Sequence, residues 1–293
     1  MPTCFFLTLI PYLSSSMIWC CLIFCLLQLA SIYQLIMFKK AWVLSFFAMP
    51  ANSFTKQSMS RILVSKEIKM VKSKRTSMIS RSKSEISSVS HSAEVLKPLP
   101  SLIVFDLDDC LWTPEMYTLP SKPSIPVRGD LGLGNGEQGV IGMKCSPSGP
   151  TVKLFDGARR ALREIATNPH YKEVLLGVAS SSEEPSFSQA CLENIEILPG
   201  LTLRGMILYD QIGRTGKLSP RKTTHFRLIH QESNIPYEEM LFFDDCNWGD
   251  HVGDLAQTFG VVGQRTPNGM QFHEFEEGLR KYQKVAEERK VTG

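Results

Sequence analysis

Between residues 98 and 293, short apolar runs alternate with segments of helical periodicity. The apolar runs are too short for buried helices, which predicts strands that are covered on both faces. Strands that alternate with helices require right-handed crossovers, and these produce a mainly parallel sheet. The sequence therefore predicts an α/β fold. The predicted strands are 102–106, 173–179, 206–209, 240–243 and 259–262, and the predicted helices are 158–167, 187–194, 222–231 and 272–285.

Residues 120–151 depart from this alternation because they are rich in glycine and proline. They contain a formal G-x-G-x-x-G pattern at 134–139, which in dinucleotide-binding folds follows a strand and opens a helix. Neither element is predicted there, so the dinucleotide interpretation fails. We predict an excursion over the sheet edge that forms a small flap.

The amino-terminal segment differs in composition from the rest of the chain. Residues 1–38 contain no Asp, Glu, Lys or Arg, and residues 17–38 form an apolar run long enough to cross a bilayer. Three interpretations stay open: a transmembrane anchor, a signal followed by an import segment, or translation that begins later. The later start would be Met49, Met59 or Met70.

Charge and composition divide the chain into three parts. Residues 39–84 hold eleven Lys or Arg and one acid, whereas 28 acids exceed 21 basic residues from residue 85 onward. The predicted organisation is an apolar leader at 1–48, a basic, Ser-rich disordered linker or targeting segment at 49–97, and a globular domain at 98–293. Because the domain is acidic, we expect no nucleic acid as a partner.

The cysteines of the domain are scattered, with no C-x-x-C pair among Cys110, Cys145, Cys191 and Cys246. The spacing disfavours a zinc site or a disulfide framework. We therefore expect the domain in a reducing compartment, either the cytosol or an organelle interior. The protein would be anchored to a membrane if residues 17–38 are retained.

Polar residues follow several of the predicted strands. The carboxyl ends of parallel strands share one edge of the sheet, so residues that follow them come together. One such residue alone is commonly a helix cap or a surface group, but the set converges on one edge. The set comprises Asp106, Asp108 and Asp109 after the first strand, Ser180 after the second, Lys222 at the start of a helix, and Asp244 and Asp245 after the fourth strand.

This set is typical of a phosphoryl-transfer site. Two carboxylate clusters repel each other, and a hard divalent cation such as Mg²⁺ relieves the repulsion. One carboxylate can attack phosphorus to give an aspartyl phosphate. A second carboxylate can protonate the leaving oxygen and then activate water. Lysine and serine stabilise the charge that spreads over the phosphoryl oxygens.

Four motifs resemble those of the haloacid-dehalogenase-like superfamily, and most closely its magnesium-dependent, acid phosphatase-like branch. The resemblance covers residues 98–282 and implies a three-layer α/β sandwich. It also implies a mainly parallel Rossmann-like sheet, a small flap and no large cap domain. The motifs are VFDLDDCLW (104–112), VASSS (178–182), RKTTHF (221–226) and MLFFDDCNW (240–248).

The resemblance implies a role for each matching residue. Asp106 is the expected nucleophile and a metal ligand. Asp108 is the expected general acid and base, and its backbone carbonyl is also expected on the metal. Ser180, Ser181 and Lys222 occupy the positions that bind the phosphate of the substrate.

The fourth motif contains a pair of acids, of which the second binds the metal in the family. Asp245 is therefore favoured over Asp244 as a Mg²⁺ ligand, and Asp250 is a candidate to support it. Two positions depart from the family pattern: Cys110 stands where Thr is usual, and Ser181 where Arg is frequent. Serine cannot provide the bidentate contact with phosphate that arginine offers.

We expect a Mg²⁺-dependent phosphomonoesterase that works through an aspartyl phosphate. The resemblance implies phosphotyrosine or sugar phosphates as substrates, and hence a phosphoprotein or a phosphorylated small molecule as partner. Two alternatives stay open: another hydrolase of the superfamily, such as a phosphonatase or dehalogenase, and a non-catalytic binding module tethered to a membrane. Asp106 and Asp108 are both intact, which argues against the binding module.

Overall fold

The computed structural model describes residues 98–246 and 249–292. The strands are β1 (Leu102–Phe105), β2 (Trp112–Thr113), β3 (Ile125–Asp130), β4 (Gln138–Lys144), β5 (Thr151–Leu154), β6 (Leu175–Ser180), β7 (Glu196–Leu198), β8 (Leu201–Thr202), β9 (Ile207–Ile212), β10 (Met240–Asp244) and β11 (Val262–Arg265). The helices are α1 (Asp156–Thr167), α2 (Pro185–Asn194), α3 (Leu203–Met206), α4 (Lys222–Ser233), α5 (His251–Phe259) and α6 (Phe272–Thr292).

Five strands form a parallel sheet in the order β11-β10-β1-β6-β9. The central strand β1 pairs with β10 and β6, which sets Phe105 beside Phe243 and Val178. Every residue of β1, β6 and β10 is buried, because these apolar runs lie between helices on both faces. Burial of a Leu or Phe side chain contributes about 1.5–3 kcal/mol to stability. The prediction of a mainly parallel α/β sheet is confirmed.

Alternate residues of β1 face opposite layers of helices. Ile103 and Phe105 belong to a large apolar core that also contains residues of α1, α2 and α6. Leu102 and Val104 belong to a second core that contains residues of α4 and α5. The arrangement is the predicted three-layer sandwich.

A second sheet, here called the flap sheet, is antiparallel and has the order β2-β5-β4-β3. Its strands β3 and β4 lie within residues 120–151, where the sequence predicted no strands. The glycine-rich pattern at 134–139 is preceded by β3, contrary to the sequence prediction, and runs into β4 rather than into a helix. It therefore belongs to a β-hairpin, with Gly134 and Gly136 at positive φ. In the described part of the chain, no cap domain larger than this sheet is added to the parallel sheet.

Two element boundaries differ from the sequence prediction. Residues 259–262 do not form the last strand, because α5, which was not predicted, extends to Phe259 and ends at Gly260 with φ 73°. The strand follows at Val262–Arg265. Residues 206–209 likewise divide between the end of α3 and the start of β9.

The predicted leader at 1–48, with its apolar run at 17–38, and the predicted linker at 49–97 lie outside the described residues. Within residues 98–246 and 249–292, no helix combines the length and the hydropathy needed to cross a membrane.

Candidate active site

The carboxyl ends of β1 and β10 lie side by side and bring the predicted acids together. Asp106 follows β1, and its backbone N–H donates to the carbonyl oxygen of Phe243 at 2.9 Å. Asp244 is the last residue of β10, and Asp245 follows it. One carboxylate oxygen from each of the three acids lies within 4.8 Å of the others. The predicted convergence of the first and fourth motifs is therefore present.

Lys222, the first residue of α4, lies among these acids with 1% of its side chain exposed. Its Nζ lies 2.7 Å from Asp106 Oδ2 and 3.6 Å from Asp244 Oδ1, and donates to the carbonyl oxygen of Ala179 at 2.8 Å. Burial alone would lower the pKa of Lys222, but the two carboxylates outweigh it and raise the pKa. The lysine therefore remains a fixed positive charge at the sheet edge.

Burial favours a raised pKa in all three acids, but their neighbouring charges differ. Burial raises the pKa of Asp106 well above its ordinary value, and Lys222 opposes that shift. The pKa of Asp244 falls to about 2, because Lys222 and His251 outweigh the effect of burial. Burial and the adjacent Asp244 raise the pKa of Asp245 to about 7. A cation between these groups would favour their ionised forms.

The donor set fits a hard divalent cation. It offers carboxylate oxygens from three residues, which are the ligands that Mg²⁺ prefers. Asp244 Oδ1 is buried and accepts no hydrogen bond from the described residues; Lys222 Nζ, at 3.6 Å, is an ion-pair partner beyond hydrogen-bond distance. Asp106, Asp244 and Asp245 are thus able to hold the ion.

Asp108 accepts hydrogen bonds from three donors among the described residues. Its Oδ1 accepts from Trp112 Nε1 at 2.8 Å, and its Oδ2 accepts from Met116 N at 3.2 Å and Ser182 Oγ at 3.3 Å. Burial raises the pKa of Asp108 despite these bonds. A carboxyl group with a raised pKa is suited to hold and return a proton.

The end of β6 supplies the predicted phosphate-binding serines. Ser180 is buried, and its carbonyl oxygen accepts from Gly213 N at 2.8 Å and lies 3.1 Å from His225 Nε2. Ser181 is half-buried and contacts Arg214, whose Nε donates to its carbonyl oxygen at 3.0 Å. The hydroxyl that contacts Asp108 belongs to neither serine but to Ser182.

Four residues near the site were not predicted as functional. Ser182, Arg214, His225 and His251 all contact a predicted site residue. His225 lies three residues after Lys222, on the same face of α4, which is a signal that the sequence contained. The contacts of the other three depend on loop conformation. The predicted support residue Asp250 caps α5 instead, accepting from Gly253 N at 2.8 Å.

Two relatives of known class match more than half of the chain. A HAD-like hydrolase superfamily protein of Schizosaccharomyces pombe is 28% identical over 160 residues, which span 55% of this chain and 84% of that protein. Human magnesium-dependent phosphatase 1 is 25% identical over 191 residues, or 64% of this chain and 89% of that protein.

Solved structures are also similar, at 15% identity. An N-terminal phosphatase-domain fragment from Bacteroides fragilis, complexed with Mg, covers 65% of this chain with a TM-score of 0.39, and this chain spans 42% of it. CbbY of Rhodobacter sphaeroides, in complex with phosphate, matches with a TM-score of 0.36, and the match covers 60% of this chain and 89% of CbbY.

The acid phosphatase family matches residues 98–285, which is nearly the whole described domain. The matched range contains all four motifs and every acid of the cluster. The predicted membership of the haloacid-dehalogenase-like superfamily is confirmed, and the chain belongs to the acid phosphatase family, a branch of phosphatase hydrolases.

Proposed function

We propose that the protein is a Mg²⁺-dependent phosphomonoesterase that forms an aspartyl phosphate on Asp106. The observation that carries the proposal is the buried Lys222 between Asp106 and Asp244, with Asp245 beside them. A lysine buried among three acids has little value for stability alone, because the desolvation of each charge is costly. Such a group of charges is typical of sites that handle a charged substrate.

Mg²⁺ is the proposed cofactor. It would be held by Asp106 and Asp245, with the backbone carbonyl of Asp108 as a further ligand and Asp244 close by. A human relative is named for its magnesium dependence, which supports this assignment. When bound, the ion neutralises charge on the phosphoryl oxygens and on the clustered acids.

Two residues perform the covalent chemistry. An oxygen of Asp106 attacks phosphorus, and the bond from phosphorus to the leaving oxygen breaks as Asp108 donates its proton to that oxygen. The Asp108 carboxylate then takes a proton from water, whose oxygen attacks phosphorus as the bond from phosphorus to the Asp106 oxygen breaks. Inorganic phosphate leaves, and Asp106 and Asp108 return to their starting states. Lys222 holds Asp106 in position and offsets the charge of the transferring group.

Phosphotyrosine is the substrate class we favour over sugar phosphates. The chain turns at Met116–Thr118, immediately after the Asp108–Met116 hydrogen bond, and the Tyr117 side chain is 63% exposed there. An exposed ring at the residue after Met116, whose N–H contacts the general acid, can stack on an aromatic leaving group. The Tyr117→Ala variant is expected to raise KM for a phosphotyrosine peptide and to leave KM for a sugar phosphate unchanged. Equal effects on both substrates would contradict this preference.

The metal-dependent activity is tested with p-nitrophenyl phosphate. Phosphate release is expected to stop in excess chelator and to return with Mg²⁺. The Asp245→Ala variant should need more Mg²⁺ for half activity than the Asp254→Ala variant, because Asp254 is exposed on α5. Full activity in chelator would overturn the metal dependence, whereas no phosphate release even in excess Mg²⁺ would favour the non-catalytic binding module.

The cellular location is a separate proposal. We infer that the domain lies in a reducing compartment, and that the protein is anchored to a membrane if residues 17–38 are retained, because an uncharged run is followed there by two lysines. Sequencing the amino terminus of the native protein tests this directly. A mature start after residue 38 would exclude the anchor.

A further inference from the structure

A second cluster of metal-ligating groups adjoins the three acids. Asp244, Cys246 and His251 each offer one ligand atom, and the three atoms lie within 4.8 Å of one another. All three side chains are buried, at 1%, 4% and 6% exposure. The cluster shares only Asp244 with the proposed Mg²⁺ site. The wide spacing of the cysteines disfavoured zinc at the level of sequence, but the ligands come from three residue types.

Two local structures hold the cluster together. Asp244 Oδ2 accepts from Cys246 N at 3.3 Å, which fixes the backbone of Cys246 beside this carboxylate. His251 is the first residue of α5, and Asp250 fixes that end of the helix by accepting from Gly253 N. Asp250 also pairs with Arg265 at 2.9 Å. The cysteine and the histidine are therefore positioned by the end of a strand and the start of a helix.

The nitrogen, sulfur and oxygen ligand atoms lie close enough together for one ion to bind all three. His251 Nδ1 lies 3.2 Å from Asp244 Oδ2. In a tetrahedral zinc site, with bonds of about 2.0–2.3 Å, ligand atoms stand roughly 3.3–3.7 Å apart. A thiolate and an imidazole favour Zn²⁺ and related ions over Mg²⁺, which takes oxygen ligands.

We propose that Asp244, Cys246 and His251 form a Zn²⁺-binding site distinct from the Mg²⁺ site. Cys246 binds as the thiolate, and its proton is released to the solvent. Water supplies the fourth ligand. Because Asp244 also contacts Lys222 at 3.6 Å, bound Zn²⁺ alters the charge balance of the phosphatase site. Zn²⁺ is then an inhibitor in the presence of Mg²⁺, and this last step alone rests on the proposed function.

Binding is tested without an activity assay. The full chain, reduced and held in excess Mg²⁺, is titrated with Co²⁺ and then with Zn²⁺. We expect one Co²⁺ per chain with a thiolate-to-cobalt charge-transfer absorption, which one equivalent of Zn²⁺ abolishes. The absorption should be lost in Cys246→Ser and strongly weakened in His251→Gln. It should persist in Cys145→Ser, since Cys145 is outside the cluster.

The variant Asp106→Asn separates the two sites, because Asp106 belongs to the three acids but not to this cluster. It should keep the cobalt absorption. An absorption that survives in Cys246→Ser, or no cobalt binding in excess Mg²⁺, would overturn the zinc site. Circular dichroism establishes that each variant is folded, and Cys246→Ala replaces Cys246→Ser if the serine variant does not fold.

The inhibitory role is tested by the ratio of activities with and without Zn²⁺. At saturating Mg²⁺, Zn²⁺ should inhibit the unmodified enzyme and the Cys145→Ser variant equally, whereas Cys246→Ser should need at least roughly tenfold more Zn²⁺. Equal inhibition of Cys246→Ser would overturn this role. A protein that binds cobalt through Cys246 and lacks phosphatase activity would instead refute the proposed function and leave the zinc site intact.

Discussion

At the carboxyl edge of the parallel sheet, Lys222 and Asp244 are each 1% exposed, whereas every charged residue in the strands of the flap sheet keeps contact with solvent. The parallel strands β1, β6 and β10 are buried along their whole length, and β3 of the flap sheet is largely exposed. Charges buried together depend strongly on one another, because water cannot replace a missing partner. Charges in the flap sheet can be changed at little cost. Chemistry and sensitivity to substitution should therefore concentrate at the same sheet edge.

The largest effect is expected from Asp106→Asn. The change keeps the shape of the side chain and removes the attacking charge, so phosphatase activity should fall by roughly 10⁴-fold or more. Steady-state kinetics and circular dichroism measure the loss of activity and the persistence of the fold. The matched control is Asp109→Asn, because Asp109 has φ 52° and asparagine tolerates that conformation. Equal losses in both variants would refute the assigned roles.

Lys222→Met should lower the stability of the metal-free protein. It leaves Asp106 and Asp244 without their buried cation, and loss of one partner from a buried ion pair costs about 3–5 kcal/mol. Urea denaturation in excess chelator measures the free energy of unfolding. Lys217→Met, at an exposed position, is the control and should change it little. Equal free energies of unfolding for the two variants would mean that Lys222 does not stabilise the folded protein.

His225 should make the same edge sensitive to acid. Burial, followed by the charge of Lys222, lowers the pKa of His225 to about 4. Between these two pKa values the folded state binds fewer protons than the unfolded state. The contribution of His225 to the free energy of unfolding is therefore complete above the unfolded pKa, and it is lost as pH falls from about 6.5 to 4. We expect a loss of roughly 2 kcal/mol between pH 7 and pH 5 from this group.

The control for this prediction is His225→Gln, which keeps a donor near the carbonyl oxygens of Ser180 and Gly213 but does not titrate. Free energies of unfolding are compared at the two pH values for both proteins. The unmodified protein should lose about 2 kcal/mol more than the variant. The same pH dependence in both would assign the acid sensitivity to other groups.

The smallest effect is expected where the flap sheet contacts the rest of the domain. Glu196 accepts from Val140 N at 2.6 Å and from Gly200 N at 2.9 Å. Glu196→Gln weakens these charge-assisted bonds and should lower the free energy of unfolding by about 1 kcal/mol, with kcat unchanged. Glu193→Gln, exposed on α2, is the control. A large fall in kcat would show that the flap sheet takes part in the chemistry.

The sequence predicted the parallel sheet well because its central strands are continuous apolar runs. Residues 102–106 and 240–243 correspond closely to β1 and β10. The flap sheet was missed since its strands are rich in glycine and partly exposed, so their pattern resembles that of a loop. The edge strand β11 was displaced because it is short and ends in Gln264 and Arg265.

The active site was likewise predictable from the sequence only in part. The meeting of Asp106 with Asp244 and Asp245 follows from the order of parallel strands, which motif positions predict. The contacts of Ser182 and Arg214 arise in loops, where a change of one residue in length would redirect the side chains. The individual roles of nucleophile, general acid and metal ligand stay predictions until the variants are measured.

The buried Cys110 thiol should make the residues that are tolerated at positions 110 and 266 depend on each other. It receives a hydrogen bond from Thr266 Oγ1 at 3.4 Å, and Thr266 N donates to the carbonyl oxygen of Asp244 at 2.9 Å. The loop after β11 thus joins the loop of the nucleophile to the end of β10, without a catalytic group of its own. Substitutions at positions 110 and 266 should be accepted in pairs more readily than singly. A library that randomises both positions together would reveal this dependence between two residues 156 positions apart.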